Sequence, residues 1–162
     1  MLTAIGDVMR RMYECGWITT RDGNCSLRRS GGSTLYVTPS GWRKTILHPE
    51  HIVKLAIEED RTLTIPDGSN PSGELHMHWM LQRDATSTRA VVHGHPTYTV
   101  AAMYRGFELQ DIAEEFPEIF RYTRVGPGVP AIPAVSRALA DATAEAFQLS
   151  SDGTAAFDIV GQ

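Results

Sequence analysis

At 162 residues, with 42% hydrophobic and 21% charged side chains, the chain has an ordinary soluble globular composition and enough length to bury a core. A formal net charge of −4 argues against a nucleic-acid or anionic-membrane surface. No stretch approaches the roughly 20 apolar residues that span a bilayer, no N-terminal apolar run precedes a small-residue cleavage site, and Cys15 and Cys25 form no CxxC pair, so a reducing cytoplasm is the expected setting.

Leu2, Ile5, Val8, Met9 and Met12 share one helical face, which predicts a core-packing helix over residues 1–15 with Gly16 as its stop. Asp22-Gly23-Asn24 is a turn signal, and residues 26–28 then enter a strand. Residues 30–33 form the hairpin turn to a second strand over 35–38, which ends in Thr38-Pro39-Ser40-Gly41. The Gly23-Asn24 and Ser40-Gly41 loops offer backbone amides and short polar side chains, and can be read either as turns or as an anion cradle. His48-Pro49-Glu50-His51 starts a helical turn with both histidines at the surface. Strands over 52–57 and 62–65 follow.

Ser72 is the predicted N-cap of a helix that ends before the turn-rich stretch 84–88. Glu74 then falls in the first helical turn, where the dipole favours a carboxylate, and shares a face with His78 but not with His76. The next strand runs over 88–93 and carries Val91-Val92-His93-Gly94-His95-Pro96 at its C-terminal end. Alternate residues of a strand leave the same face, so His93 and His95 point into one pocket. They are either a divalent-metal pair or two polar residues at a strand end. A helix over 96–104 follows. Ile112, Phe116, Ile119 and Phe120 then suggest an amphipathic turn, and the Gly/Pro-rich stretch 126–133 forces a loop. Ser136 caps a helix over 137–149, and 155–160 reads as a final apolar strand. The pattern predicts one α/β (α+β) domain over 1–162, a three-layer α/β/α sandwich with a central, mainly antiparallel sheet.

Four motifs stand in colinear order: Gly23-Asn24-Cys25-Ser26-Leu27-Arg28, Thr38-Pro39-Ser40-Gly41, Pro71-Ser72-Gly73-Glu74 and Val91-Val92-His93-Gly94-His95. With them the chain resembles the class II aldolase/adducin family, which includes fuculose- and rhamnulose-phosphate aldolases, ribulose-phosphate 4-epimerase and methylthioribulose-phosphate dehydratase. The resemblance implies an α/β/α sandwich, a homotetramer with sites at subunit interfaces, and a sugar-phosphate substrate. It assigns His93 and His95 to a divalent metal, commonly zinc. Glu74 becomes the catalytic acid/base, and Asn24, Ser40, Gly41, Ser72 and Gly73 become phosphate-binding positions. A metal on imidazoles acts as a Lewis acid toward a carbonyl, and a nearby carboxylate moves the proton.

Two departures qualify this. Gly73 stands where the family often has Ser or Ala, leaving only a backbone amide. The family's third histidine, in a His-Gly pair after the strand corresponding to 155–160, has no counterpart before Gln162. The expectation is a piece of a longer protein, the alternative a short form that holds its metal weakly. Retro-aldol cleavage of a ketose phosphate is the first expectation. Dehydration or epimerisation on the same site and a non-catalytic adducin-like module are the others. Ser40-Gly41-Trp42-Arg43-Lys44 resembles the dehydratase branch, whereas Glu115-Phe116-Pro117-Glu118 resembles the rhamnulose-phosphate aldolase branch.

Overall fold

The computed structural model of the protein describes residues 1–85 and 89–162. Its centre is a five-stranded sheet of β1 (Asn24–Arg28), β2 (Thr34–Val37), β3 (Val53–Ile57), β4 (Leu63–Thr64) and β5 (Arg89–His93). The strand order is β4-β3-β2-β1-β5 and every neighbouring pair is antiparallel. The β1–β2 hairpin turns over residues 29–33, at the end of the sheet remote from Asn24. The strand expected from residue 88 begins at Arg89; Thr88 itself lies outside the described residues, as does part of the stretch 84–88.

Strand alternation sorts the core. Cys25, Leu27 and Tyr36 leave one face and pack with Ile5, Met9 and Met12 of α1 (Leu2–Glu14). Val8 lies at the margin of that helical stripe and is exposed. Leu35, Val37, Val53 and Leu55 leave the opposite face and meet Leu75 and Trp79 of α2 (Leu75–Gln82). Behind α2 lies α5 (Arg137–Ala146), whose Ala140 packs with Met77 and Leu81. The Ser136 hydroxyl accepts from Leu139 N–H at 3.1 Å, the expected N-cap. Between β5 and α5 run α3 (Thr97–Tyr104) and α4 (Leu109–Glu114). No helix among the described residues is long and apolar enough to cross a membrane.

Three expectations are corrected. The helix read as capped by Ser72 starts at Leu75, so Glu74 sits at the N-cap position and not inside the first turn. The cause is the bridge of Pro71 to Pro39, which holds the chain extended up to Ser72. Residues 155–160 form no strand of the sheet. Ala155 and Ile159 make isolated bridges to Leu149 and Val125, and Pro127, between the donors Gly126 and Val129, has no N–H to continue a ladder. Phe116 and Phe120 are exposed, so that amphipathic segment buries neither ring.

Both cysteines are free thiols, Cys15 exposed and Cys25 buried. Burial pushes the Cys25 thiol up to about 12. Alkylation of the native protein at pH 8 is therefore expected to modify one thiol rapidly and the second only in denaturant. Mass spectrometry reads this directly, and rapid double labelling of folded protein would contradict the burial of Cys25.

A cleft at the end of the sheet

Four backbone segments converge at the end of the sheet where β1 begins and β5 finishes. They are the loop entering β1, the loop leaving β2, the loop entering α2 and the exit from β5. Together they line an open cleft of about 250 Å³. Asn24, Ser40, Gly41, Ser72, Gly73, Glu74, His93 and His95 all lie on its wall, so the residues that the family resemblance assigns to metal, phosphate and proton transfer reach one place. His48 and His51 do not: they contact each other, and His51 stacks beside Trp42. His76 is exposed on α2.

Strand register brings the first pair together. Asn24 lies directly opposite His93 in the β1–β5 ladder, and both face α2. The Asn24 Nδ2 donates to Glu74 Oε2 at 2.9 Å, and that same oxygen lies 3.6 Å from His93 Nε2. Only His93 belongs to β5; His95 lies beyond it and is fixed by its N–H donating to Trp17 C=O at 2.7 Å. The rings still converge, edge to face, with their Nε2 atoms 2.8 Å apart. The Asp22 carboxylate lies 3.5 Å from His95 Nδ1. A carboxylate there holds the ring by its far nitrogen and leaves Nε2 facing the cleft. Burial lowers the affinity of His93 for a proton; Glu74 works against that and His95 adds to it.

The donor types are those a divalent cation takes, two convergent imidazole nitrogens with a carboxylate oxygen beside them. Among the described residues, no group of three His, Cys, Asp or Glu side chains is arranged to hold a metal. Next to His93 lies Gln162, whose amide nitrogen donates to Thr143 Oγ1 at 3.1 Å.

The two middle loops are tied to each other. Ser40 N–H donates to Asn70 C=O at 2.9 Å and Ser72 N–H to Thr38 C=O at 3.0 Å. Those two amides are thus spent on the scaffold, and a bound anion would meet the serine hydroxyls and the Gly41 and Gly73 amides. Two cations share the cleft. Arg21 Nη1 donates to Gly41 C=O at 3.0 Å, and Lys44, 2% exposed, sets its Nζ against the Pro39 and Trp42 carbonyls. Burial pulls the Lys44 ammonium below its ordinary range, Asp22 opposing and Arg21 assisting. Sequence reasoning assigned no site role to Asp22, Arg21 or Lys44. Asp22 stood beside Gly23-Asn24 and was hidden by its turn role. Nothing in the local pattern of Lys44 marks a buried lysine.

Behind the cleft wall, His78 is wholly buried on α2, and burial drives its imidazole down to about 3, helped by His93. Its ring lies between Asn24 Oδ1 and Ser26 Oγ. Gly23 has φ +67°, and a Cβ there would stand 2.4 Å from Ile18 Cγ2 and 3.1 Å from His93 O. Gly94 passes close to α1 and to residues 17–18: a Cβ there would stand 2.4 Å from Met12 Cε, the movable end of that side chain, and 3.3 Å from Trp17 O. Gly23→Ala combines a left-handed backbone with overpacking and is expected to destabilise the fold by about 2–4 kcal/mol. Denaturant unfolding measures it; a change within about 0.5 kcal/mol would show that the turn relaxes freely.

Residues 3–157 match the family model described as Class II Aldolase and Adducin N-terminal domain. Methylthioribulose-1-phosphate dehydratase of Esox lucius is 31% identical over 114 residues, covering 68% of this chain and 44% of the relative. The 3-oxo-tetronate 4-phosphate decarboxylase of Escherichia coli is 28% identical over 151 residues, covering 87% and 68%. The crystal structure of L-fuculose-1-phosphate aldolase from Thermus thermophilus superposes with a TM-score of 0.65 at 28% identity, covering 90% of this chain and 69% of that one. The chain spans about half the length of the dehydratases it matches, and 52% of the L-fuculose phosphate aldolase of Methanococcus maripaludis.

Proposed function

This chain belongs to the class II aldolase and adducin family, and from that membership we propose that it forms the metal- and phosphate-holding part of a lyase acting on a ketose phosphate. The reaction is cleavage to dihydroxyacetone phosphate and an aldehyde. One observation carries the reading: Glu74 Oε2 lies 3.6 Å from His93 Nε2, in a cleft also walled by Ser40, Gly41, Ser72 and Gly73. His93 and His95 would hold a divalent metal, zinc by preference, through their Nε2 atoms. When bound, that ion supplies Lewis-acid polarisation of the substrate carbonyl. Glu74 takes or returns the proton at carbon or at an alcohol oxygen. The Ser40 and Ser72 hydroxyls, the Gly41 and Gly73 amides and one Asn24 N–H hold the phosphate and so orient the reacting end. Arg21 and Lys44 offset the repulsion between a dianionic phosphate and the carboxylates of Asp22 and Glu74. The reading includes a single three-layer α/β/α domain over 1–162, a homotetramer and a cytoplasmic setting.

A second reading has its own support. Several of the curated relatives are methylthioribulose-1-phosphate dehydratases, and the same acid/base serves loss of water. The test is a coupled assay for dihydroxyacetone phosphate over a panel of ketose phosphates, with total substrate consumption followed by phosphorus NMR. Release of dihydroxyacetone phosphate equal to consumption is the expected result. Consumption without release supports dehydration, and no consumption supports a non-catalytic assembly module.

A further inference from the structure

Glu74 sits on a line of hydrogen bonds whose direction can be worked out atom by atom. A carboxylate only accepts, so the Asn24 group 2.9 Å from Glu74 Oε2 is the amide nitrogen. The Asn24 carbonyl Oδ1 then faces His78, and the ring nitrogen opposite it, Nε2, must carry a hydrogen. His78, Ser26 and Gln82 are each wholly buried, and the polar groups against the His78 ring are neutral. An imidazolium there would lack any compensating charge, so the ring is neutral and its Nδ1 bare. Nδ1 accepts from the Ser26 hydroxyl at 2.6 Å. With its single hydrogen spent, Ser26 Oγ can only accept from its other neighbour, the Gln82 amide nitrogen. That fixes the Gln82 amide too, and its Oε1 has no partner among the described residues. An orphaned acceptor in a buried helix-sheet seam is a cost that an apolar set of side chains would avoid.

We infer that His78 is a positioning residue: locked as the Nε2–H tautomer between Ser26 and Asn24, it fixes the Asn24 amide and through it the Glu74 carboxylate in the cleft. The inference deepens the acid/base reading of Glu74 and rests on it. The layout explains why α2 and β1 both contribute. Glu74 at the head of α2 and His78 within it stand one turn apart, and Asn24 and Ser26 are alternate residues on the face of β1 beneath them. The line thus ties the helix to the strand whose first residue is in register with His93. It also gives Asn24 a definite allotment: its carbonyl is taken by His78, one amide hydrogen by Glu74, and one hydrogen is left for a ligand.

The test uses the whole 162-residue chain, labelled with ¹⁵N. Two-bond ¹H–¹⁵N correlations are expected to show His78 with a protonated Nε2 and a bare Nδ1, and the Asn24 side-chain amide protected from exchange. In His78→Leu that amide should exchange at least about tenfold faster. With a substrate found by the ketose-phosphate panel, His78→Leu should lower kcat by about tenfold to a hundredfold while KM stays within about twofold. His78→Gln, whose amide nitrogen stands near the Nε2 position, should restore most of kcat. An Nδ1–H or doubly protonated ring, or a folded His78→Leu protein with wild-type kcat, would overturn the inference. Should His78→Leu not fold, Ser26→Ala replaces it: the Asn24 carbonyl still demands a hydrogen on Nε2, so the ring must keep that tautomer, and a shift of the hydrogen to Nδ1 is contrary. If the wild-type chain turns over no sugar phosphate, the lyase reading fails, while the tautomer and exchange results still decide the positioning line.

Discussion

Replacing Glu74 by Gln is expected to lower turnover of the sugar phosphate by about a hundredfold or more, the ordinary worth of a positioned acid/base. The substitution is nearly isosteric, and Gln retains an oxygen that can accept from Asn24 Nδ2, now at 2.9 Å from the carboxylate. The packing at the head of α2 therefore stays as it is, and so does the convergence of His93 and His95. What disappears is a group able to take up and release a proton beside His93 Nε2. Steady-state kinetics should record the loss in kcat, and metal analysis of the same preparation should record none in metal content. Unchanged turnover in Glu74→Gln would remove the acid/base role and leave the carboxylate as an anchor for the end of α2.

The second large effect concerns the imidazole pair. With two histidines and no third ligand grouped with them among the described residues, the chain is expected to bind zinc more weakly than a three-histidine relative and to lose it on extensive dialysis. His93→Ala or His95→Ala should weaken the binding that remains by more than about a hundredfold, beyond what loss of a supporting hydrogen bond costs. The two substitutions differ in their side effects. His93 is mostly buried beside Glu74, so its removal also opens space behind the carboxylate. His95 is half-exposed, and its removal leaves Asp22 without its ring partner. Competition against a chromogenic chelator measures all three proteins. Stoichiometric zinc in the dialysed wild type would refute the weak-binding expectation, and unaltered affinity in either variant would locate the metal elsewhere.

How much of this was legible beforehand depended on range. His93 and His95 could be paired from local spacing, because strand alternation carries across one intervening residue and survives even though β5 stops at His93. The hairpin of β1 and β2 and the Ser136 cap are likewise encoded in neighbours of neighbours. Where local pattern misleads, a distant partner intervenes. Ser72 has the chemistry of an N-cap, yet Pro71 is paired with Pro39, far back in the chain, and the helix waits until Leu75. The apolar run 155–160 has strand composition but meets loops. His78 could be assigned to Glu74's helical face, but its ties to Ser26 and Asn24 follow from β1 lying under α2, which no local pattern states. Lys44 is the extreme case, a lysine at 2% exposure held by carbonyls of its own loop.

The hairpin joining β1 to β2 is useful for a different purpose. Its exposed glycine, Gly31, caps the end of the sheet opposite Asn24, and extra residues there would change neither the Asn24–His93 register nor the tie between Pro39 and Pro71. Lengthening such a loop has only a logarithmic entropic penalty. The turn is therefore a grafting point: an affinity tag, a fluorophore-bearing peptide or a surface anchor placed there would leave the cleft facing away from the support, open to whatever is washed across it.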